Sequence, residues 1–484
     1  MPLPAHKTKI VATIGPASDQ PETLRALIEA GLGIARLNFS HGNADYHAAL
    51  IGRIREAAAA CNRRVAILGD LPGPKMRIGD LAEEPVELVR DEHITLTTEE
   101  CLGTVERVSV SFAGLPAAVK RGDAMFLNDG YIQLEVTDVD GNDVVCRVHT
   151  GGELRSRKGL NLPGIDLGIS AFTDNDREWL GFAAEHGIDA VSQSFVVIAQ
   201  DIVEVRAAAT AIGYAPFIIA KIERAAALDN LDAILEVADG IMVARGDLGV
   251  EIPIETIAVA QRRITGRAHR AGKPVITATQ MLESMVTSRR PTRAEATDVA
   301  NAILGGTDCV MLSAESAMGH FPVESVAMLA GIATAIEPEQ DSRAFAEILG
   351  VYGDVGSDGH PPRPMDLIAR CVYHTVQQAA PRAVVVPTRS GASARNVARF
   401  RLPGWVVALS PDPATAQTLQ FNYGVYPVNV DGDRADWTEY VRDQLAVLQM
   451  DTGMALLTQG PSAENPRGNH RLEIIELDPE SLRG

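Results

Sequence analysis

Short apolar segments alternate with helical segments along most of this 484-residue chain. Such segments, rich in Val, Ile, Ala and Leu and bounded by turn residues, are typical of strands buried on both faces of a parallel sheet. A helical segment follows such a strand eight times. Eight strand–helix units predict an α/β fold, a closed (β/α)8 or TIM barrel. The predicted strands are 8–14, 34–39, 65–68, 190–195, 216–223, 240–245, 275–280 and 309–312.

The alternation is interrupted once and ends before the chain does. Residues 79–164 are turn-rich, with short alternating segments joined by hairpin turns such as Asn128-Asp-Gly130, and predict a small β-barrel-like insertion. Residues 338–364 are polar and rich in Gly and Pro, which indicates a linker. A second α/β series follows it. We therefore expect a barrel (1–78 and 165–340), an inserted β lid (79–164) and a C-terminal α/β domain (360–484).

Charge and cysteine content exclude several kinds of protein. The chain has 44 basic and 63 acidic residues, a net charge of −19, which argues against nucleic acid or an anionic membrane surface as the main partner. Five scattered cysteines without a Cys-x-x-Cys motif favour a reduced protein without a zinc site. No apolar run approaches a membrane span, and the N-terminus lacks a signal-peptide core. We expect a cytoplasmic location.

Charged residues stand at the carboxyl ends of the fifth and sixth predicted strands. Lys221 and Glu223 close one strand, and Arg245 and Asp247 follow the next. A barrel enzyme places its chemistry at these ends, where carboxylate oxygens suit Mg²⁺ and a lysine suits a phosphoryl group. The alternative is two buried salt bridges. Because charges are rarely buried without a role or a partner, a metal and a phosphorylated ligand are favoured.

The other strand ends carry polar groups as well. Their cations could gather a phosphorylated substrate locally despite the net negative charge. These residues are Arg36, Asn38, Ser40 and His41 after strand two, Asp70, Lys75 and Arg77 after strand three, Thr279 after strand seven, and Ser313 and Glu315 after strand eight.

Seven sequence stretches, in order along the chain, resemble the signatures of the pyruvate kinase family. The resemblance covers the whole length and implies barrel, inserted β domain and C-terminal domain in that order. It also implies transfer of phosphate from phosphoenolpyruvate to ADP, giving pyruvate and ATP. The matching stretches are 8–18, 35–42, 158–164, 221–223, 242–249, 278–285 and 291–295.

The resemblance assigns roles to individual residues. Lys221, Arg36 and Thr279 match catalytic positions. Glu223 and Asp247 match the ligands of Mg²⁺ or Mn²⁺. Thr279 would order water for protonation of the enolate, although by itself it could be a residue that only fills the strand. The positions that match substrate contacts are Arg36, Lys221, Arg245, Gly246, Asp247 and Thr279, and those that match nucleotide contacts are Asn38, His41, Arg77 and Lys158.

A departure from many relatives bears on the monovalent cation. Lys75 stands where the K⁺-requiring members have a Glu, and Leu71 where they have a Thr. A tethered ammonium could supply the positive charge of the ion, so the resemblance implies the bacterial-type, K⁺-independent subgroup. The alternative is a solvated lysine in a Pro-rich loop. The positions that match the cation's ligands are Asn38, Ser40, Asp70 and Leu71.

A loop in the C-terminal domain resembles the phosphate loop by which relatives bind a sugar-phosphate activator. It follows a strand and opens a helix, although an ordinary capped helix start remains an alternative. The later segment 460–470 departs from the bisphosphate-binding version, which favours a sugar monophosphate. The resemblance also implies a homotetramer. The residues of this effector loop are Thr388, Arg389, Ser390, Gly391, Ser393 and Arg395.

Two other functions are alternatives to this one. One is a different metal-dependent barrel acting on phosphoenolpyruvate or a keto acid, such as an aldolase or carboxylase relative, which would need no second phosphate site. Arg77 and Lys158, placed for a nucleotide, argue against it. The other is a catalytically silent regulatory protein on the same fold, which would have lost a metal ligand or Lys221. Neither is lost.

Overall fold

The computed structural model describes residues 3–165, 167–349, 363–432, 434, 436–461 and 469–477. Strands are numbered β1–β21 and helices α1–α17 along these residues. The chain begins with strand–helix units that form the first part of a barrel. These elements are β1 (Lys9–Thr13), α1 (Pro21–Ala30), β2 (Leu32–Asn38), α2 (Ala44–Ala60) and β3 (Ala66–Leu71).

The inserted domain follows β3 and is built from β-strands, as predicted. A six-stranded sheet has the order β11-β7-β8-β9-β5-β6, and β4 pairs with β10 in a separate two-stranded sheet. The predicted turn at 128–130 connects β7 to β8, and a turn at 141–142 connects β8 to β9. Its elements are β4 (Val86–Leu88), β5 (His93–Thr97), β6 (Arg107–Ser109), α3 (Leu115–Ala118), β7 (Ala124–Leu127), β8 (Ile132–Asp140), β9 (Asp143–Thr150), β10 (Gly152–Leu154) and β11 (Leu160–Asn161).

The chain then returns to the barrel through helix α4, which Thr173 caps. The Thr173 hydroxyl accepts from the Asp176 N–H, and the Asp176 carboxylate accepts from the Thr173 N–H, which forms a capping box. The remaining elements are α4 (Asp174–Glu185), β12 (Ala190–Gln193), α5 (Ala199–Ala211), β13 (Phe217–Ile222), α6 (Ala225–Asp229), α7 (Leu231–Val237), β14 (Gly240–Ala244), α8 (Arg245–Glu251), α9 (Ile257–Arg270), β15 (Val275–Ala278), α10 (Arg293–Leu304), β16 (Cys309–Leu312), α11 (Ala314–Ala317) and α12 (Pro322–Ile336).

The eight predicted strands close into one parallel barrel. Its order is β1-β16-β15-β14-β13-β12-β3-β2. One apolar core lies between the strands and the surrounding helices, and a second fills the barrel interior. The interior core includes Phe421, which belongs to the C-terminal domain and stacks on Phe217 with ring centroids 5.5 Å apart. The C-terminal domain therefore closes the amino-terminal end of the barrel.

Several element boundaries differ from the prediction. Strands four and seven end at Gln193 and Ala278, because Phe195, Thr279 and Gln280 have positive φ angles that a strand cannot contain. The sequence also predicts a helix from Pro291 to Leu304; in the structure this helix, α10, begins at Arg293, and Thr292 is its cap. The predicted linker contains a helix, α13 (Ser342–Ile348).

The C-terminal domain is an α/β sheet with helices on both faces, as predicted. Its sheet order is β19-β18-β17-β20-β21, parallel except for β21. Separate apolar cores cover its two faces. No helix in the described residues is both long and apolar enough to cross a membrane. The elements are α14 (Pro364–Ala379), β17 (Ala383–Pro387), α15 (Ala392–Ala398), β18 (Trp405–Ser410), α16 (Pro413–Thr418), β19 (Val425–Asn429), α17 (Thr438–Val447), β20 (Met454–Gln459) and β21 (Arg471–Glu476).

Candidate active site

A cleft of about 210 Å³ opens at the carboxyl ends of the barrel strands. Residues from most strand ends line it, as expected for a barrel of this kind. Most of the predicted site residues meet here although they are far apart in the sequence. The polar residues lining the cleft are Arg36, Asn38, Ser40, His41, Asp70, Lys75, Arg77, Ser194, Lys221, Glu223, Asp247, Thr279 and Ser313.

Asp70 lies at the centre of a buried charge network. The sheet register aligns it with Asn38 of β2 and with Ser192 of β12. One carboxylate oxygen is 2.5 Å from Arg36 Nη2, and the other accepts a 2.5 Å hydrogen bond from the Ser192 hydroxyl. Burial opposes the charge of Asp70, but Lys221 and Arg36 outweigh it and lower its pKa to about 2. Asp70 is therefore ionised at neutral pH and orients both cations.

Lys221 lies between two carboxylates. Its Nζ is 2.9 Å from Glu223 Oε1 and 3.3 Å from Asp70 Oδ1, and it donates a 2.7 Å hydrogen bond to Ser194 Oγ. Burial favours the neutral amine, yet Asp70 and Glu223 raise the pKa of Lys221 above its ordinary value. The site thus holds a fixed ammonium group at neutral pH.

Three hydroxyl residues of this network were missed by the sequence analysis. Thr13 accepts a 2.7 Å hydrogen bond from Arg36 Nη1, Ser192 donates to Asp70, and Ser194 donates a 2.7 Å hydrogen bond to the Leu71 carbonyl. Ser192 and Ser194 are two residues apart, which is the spacing of side chains that share a strand face. Paired serines at the end of an apolar strand are the signal that could have revealed them.

Glu223 and Asp247 line the same cleft and could hold a divalent metal. Glu223 Oε2 accepts a 2.8 Å hydrogen bond from the Phe195 N–H. Burial raises the pKa of Glu223, Lys221 counteracts this, and the charge of Asp247 adds to it, so the two carboxylates interact electrostatically. Within the described ranges no three His, Cys, Asp or Glu residues form a metal-binding group. Two carboxylates nevertheless fit Mg²⁺, which commonly completes its coordination with substrate oxygens and water.

Thr279 and Arg245 form a connection between the ends of β14 and β15. The Thr279 hydroxyl accepts a 2.7 Å hydrogen bond from the Gly246 N–H and donates to the Ala278 carbonyl at 2.6 Å. Arg245 does not line the cleft: it pairs with Asp298 at 2.7 Å and donates to the Thr279 carbonyl. Arg245 and the Gly246 N–H therefore fix the position of Thr279.

Comparison with known proteins assigns this architecture to a family. Residues 5–326 match the model of the pyruvate kinase barrel domain, and residues 366–460 match that of the pyruvate kinase alpha/beta domain. The chain belongs to the pyruvate kinase family. It is an enzyme of that family, which the similarity to characterised relatives supports along most of its length.

Among these relatives, pyruvate kinase of Thermococcus litoralis is 44% identical over 99% of this chain and 100% of its own length. Pyruvate kinase PKLR of Homo sapiens is 42% identical over 88% of this chain and 76% of its own. Pyruvate kinase of Bacillus licheniformis is 40% identical over 93% of this chain and 76% of its own.

Three of the residues matching the pyruvate kinase nucleotide contacts precede the inserted domain in the sequence, and the fourth, Lys158, lies within it. Asn38, His41 and Arg77 line the cleft, whereas Lys158 does not. Lys158 is held near Arg77 because its carbonyl accepts a hydrogen bond from the Ile78 N–H at 3.0 Å. Burial lowers the pKa of His41, and nearby Arg77, Lys75 and Arg36 lower it further. Burial and these three positive charges thus favour the neutral form of His41.

The positions that match the monovalent-cation ligands already have partners within the chain. Asn38 Oδ1 accepts from the Ser40 N–H at 3.1 Å, the Leu71 carbonyl accepts from Ser194, and Asp70 pairs with Arg36 and Lys221. Lys75 is exposed and also lines the cleft.

The effector loop predicted in the C-terminal domain lies between β17 and α15. The Thr388 hydroxyl accepts a 3.0 Å hydrogen bond from the Gly391 N–H. Arg395 turns away from solvent: it donates to the Ser390 carbonyl at 2.9 Å, and its guanidinium lies 5.2 Å from the centre of the Phe217 ring. The loop is thus linked to the barrel through Arg395. In the later segment 460–470, residues 462–468 lie outside the described part of the chain.

Proposed function

We propose that this enzyme transfers the phosphoryl group of phosphoenolpyruvate to ADP with Mg²⁺ or Mn²⁺, giving pyruvate and ATP. The observation that carries the proposal is the convergence of two ordered cations, Arg36 and Lys221, with two carboxylates, Glu223 and Asp247, in one cleft. Phosphoryl transfer needs positioned positive charge more than covalent chemistry, and this cleft supplies it.

The charge network suggests how each side chain contributes. Lys221 stabilises the phosphoryl group in transit, because its ammonium is held by Asp70, Glu223 and Ser194. Arg36, oriented by Asp70, contacts the substrate phosphate. Glu223 and Asp247 would hold the divalent metal, which when bound neutralises negative charge on the substrate oxygens.

Substrate orientation and proton delivery fall to groups at the ends of β14 and β15. Gly246 and Asp247 begin helix α8 next to Thr279, so the substrate carboxylate would lie against this corner. A threonine hydroxyl is too weak an acid to protonate the enolate directly at neutral pH. Thr279 therefore orders the water that does so, and Arg245 keeps the loop in place through the Thr279 carbonyl.

The nucleotide would enter between the barrel and the inserted domain. Asn38, His41 and Arg77 lie along this entrance, and Lys158 approaches from the inserted domain. Closure of that domain over ADP would bring Lys158 to the phosphates and exclude water. A second phosphate site of this kind has no use in an aldolase or carboxylase.

We further propose that the enzyme belongs to the K⁺-independent, bacterial-type subgroup. Lys75 lines the cleft and is one of the charges that lower the pKa of His41, which supports an electrostatic role for this lysine. Asn38, Ser40, Asp70 and Leu71 would then correspond to the ligands of a monovalent cation whose charge is supplied by Lys75.

Regulation and assembly complete the proposal. A sugar monophosphate would bind the effector loop at Thr388, Arg389, Ser390, Gly391 and Ser393. Arg395 would couple effector binding to the barrel through its contact with Phe217. A cytoplasmic homotetramer is proposed by analogy with the family.

The decisive experiment measures pyruvate release from phosphoenolpyruvate with and without ADP, in Mg²⁺ and after addition of a chelator. We expect release only when ADP and the metal are both present, with ATP formed in equal amount. Pyruvate released without ADP would instead support the aldolase or carboxylase alternative, and no release under any condition would support a silent regulatory protein.

A further inference from the structure

Arg224, which directly follows Glu223, leaves the cleft and binds the inserted domain. Its Nη2 donates to the Ile165 carbonyl at 2.9 Å and to the Leu162 carbonyl at 3.3 Å. These carbonyls lie just after β11, where the chain returns from the inserted domain to the barrel. The Arg224 side chain is only 10% exposed, so this is a buried connection rather than a surface contact.

The same guanidinium pairs with Glu251 at the end of helix α8. Arg224 Nε is 3.3 Å from Glu251 Oε1, and Glu251 Oε2 accepts from the Ala225 N–H at 3.3 Å. Burial raises the pKa of Glu251, and Arg224 is the main group that lowers it, followed by the Ala225 and Gly164 N–H groups. Arg224 is therefore the main positively charged partner of Glu251. Because α8 begins with Arg245, Gly246 and Asp247, the pair connects the returning chain to the helix that presents Asp247.

A second contact joins the inserted domain to α8. Gly130, at the turn between β7 and β8, has φ +89° and packs against Val250 so closely that a Cβ there would be 3.1 Å from Val250 Cγ2. Helix α8 thus contacts the inserted domain at the hairpin turn as well as at the returning chain.

We propose that Arg224 and Glu251 are positioning residues that set the inserted domain and the Asp247 carboxylate in place together. The pair makes closure over the nucleotide and assembly of the metal site one event. Glu223, through its neighbour Arg224, and Asp247, through α8, are both connected to the chain that returns from the inserted domain. This inference rests on the proposed function, in which Glu223 and Asp247 hold the metal.

The test compares Arg224→Met, Arg224→Lys, Glu251→Gln and the double variant Arg224→Met/Glu251→Gln with the wild-type enzyme. Arg206→Met is the matched control, because Arg206 also joins a carbonyl, that of Val237, to a carboxylate, that of Asp239, but lies away from the cleft. Each enzyme is assayed for kcat, KM for ADP and half-saturation by Mg²⁺. Hydrogen exchange of the backbone amides in 245–251 is measured as a readout that needs no turnover.

We expect Arg224→Met to raise KM for ADP and Mg²⁺ half-saturation together, each by about tenfold, because one coupling free energy of ordinary size links them. Amides of α8 should exchange faster in that variant than in the wild type. Arg224→Lys should recover part of both effects, since it keeps the charge facing Glu251. The double variant should be no worse than Arg224→Met alone, as residues acting as one unit are not additive. Arg206→Met should stay within about twofold of the wild type.

Several results would overturn the inference. One is a lower melting temperature for Arg224→Met with unchanged KM for ADP and unchanged Mg²⁺ half-saturation, which would make the residue merely structural. Another is wild-type exchange of the α8 amides in that variant. Additive effects in the double variant would also contradict it. A wild-type enzyme without metal-dependent turnover would instead refute the proposed function, while the exchange measurement would still decide whether Arg224 orders α8.

Discussion

Replacing Lys221 by Met tests whether a positioned positive charge, rather than the shape of the cleft, drives the phosphoryl transfer. Methionine keeps much of the side-chain volume and removes the ammonium, which lies 2.9 Å from Glu223 and 3.3 Å from Asp70. A unit charge acting on another about 4 Å away at an effective dielectric constant of about 20 contributes about 4 kcal/mol. Arg36 still neutralises part of the developing charge. We therefore expect a loss of about 3–4 kcal/mol, which is about 10²–10³ in kcat.

The assay is steady-state kinetics with phosphoenolpyruvate, ADP and Mg²⁺ varied separately. Lys273→Met is a matched control, because that lysine is also partly buried and donates to the Ala238 carbonyl, but at the opposite end of the barrel strands. Its kcat should stay within about twofold of the wild type. Ser194→Ala keeps the Lys221 ammonium and removes one of its partners, so it should cost about tenfold in kcat, close to the value of one hydrogen bond to a charged group.

The relative losses in kcat of these variants test the role of the Lys221 charge. A Lys221→Met enzyme with near-normal kcat would refute the role assigned to the ammonium. Equal losses for Lys221→Met and Ser194→Ala would show that disturbance of the cleft, rather than loss of charge, explains both.

Three further predictions concern the charge balance and the effector. Asp70→Asn should lower the thermal unfolding midpoint at pH 7: the folded-state pKa of Asp70 is depressed from 3.8 to about 2, which corresponds to about 2–3 kcal/mol. That stabilisation is present above pH 4 and is lost as pH falls towards 2. The difference in unfolding midpoint between the wild type and Asp70→Asn should therefore shrink over this range. A constant difference would contradict the depressed pKa of Asp70. Turnover of the wild-type enzyme in tetramethylammonium should equal that in K⁺ at matched ionic strength, whereas Lys75→Glu should create a K⁺ requirement. A large loss of wild-type activity without K⁺ would disprove the proposal that Lys75 replaces the monovalent cation. Calorimetric titration should show a sugar monophosphate binding more tightly than fructose 1,6-bisphosphate. Ser390→Glu, which adds a negative charge to the effector loop, should abolish binding of the sugar monophosphate. Tight binding of the bisphosphate, or no binding of either ligand, would refute the proposed effector.

The strands of the barrel could be predicted because their apolar segments are short and bounded by turn residues. The pattern fixed which residues stand at strand ends, and so brought Lys221, Glu223 and Asp247 to one cleft. It could not give the exact ends of strands four and seven. Phe195 and Thr279 adopt positive φ angles, which such residues rarely prefer. Both also hydrogen-bond to other strand ends, Phe195 to Glu223 and Thr279 to Gly246, and these contacts are not visible in the local sequence.

The directions of the side chains at the strand ends could not be predicted from the sequence either. Arg245 stands at a strand end as predicted, yet its guanidinium turns to Asp298 on α10, a contact that only the closed barrel creates. Ser192 and Ser194 look like ordinary strand residues until β3, β12 and β13 lie side by side and their hydroxyl groups reach Asp70 and Lys221. Residue type and spacing therefore predicted which charged residues meet in the cleft. The hydrogen bonds that hold these residues depend on tertiary contacts.

The packing of Phe421 inside the barrel has a consequence for how this protein is made. A span of 112 residues separates Cys309, on the last barrel strand, from Phe421, whose carbonyl it contacts. At about 5–20 residues per second, a ribosome needs roughly 6–20 s to synthesise that span. During this interval the apolar amino-terminal end of the nascent barrel has no cover. Removing a buried phenylalanine side chain from a core typically costs about 3–5 kcal/mol. The barrel thus reaches its full stability only after translation of the C-terminal domain, so the two domains mature as one unit.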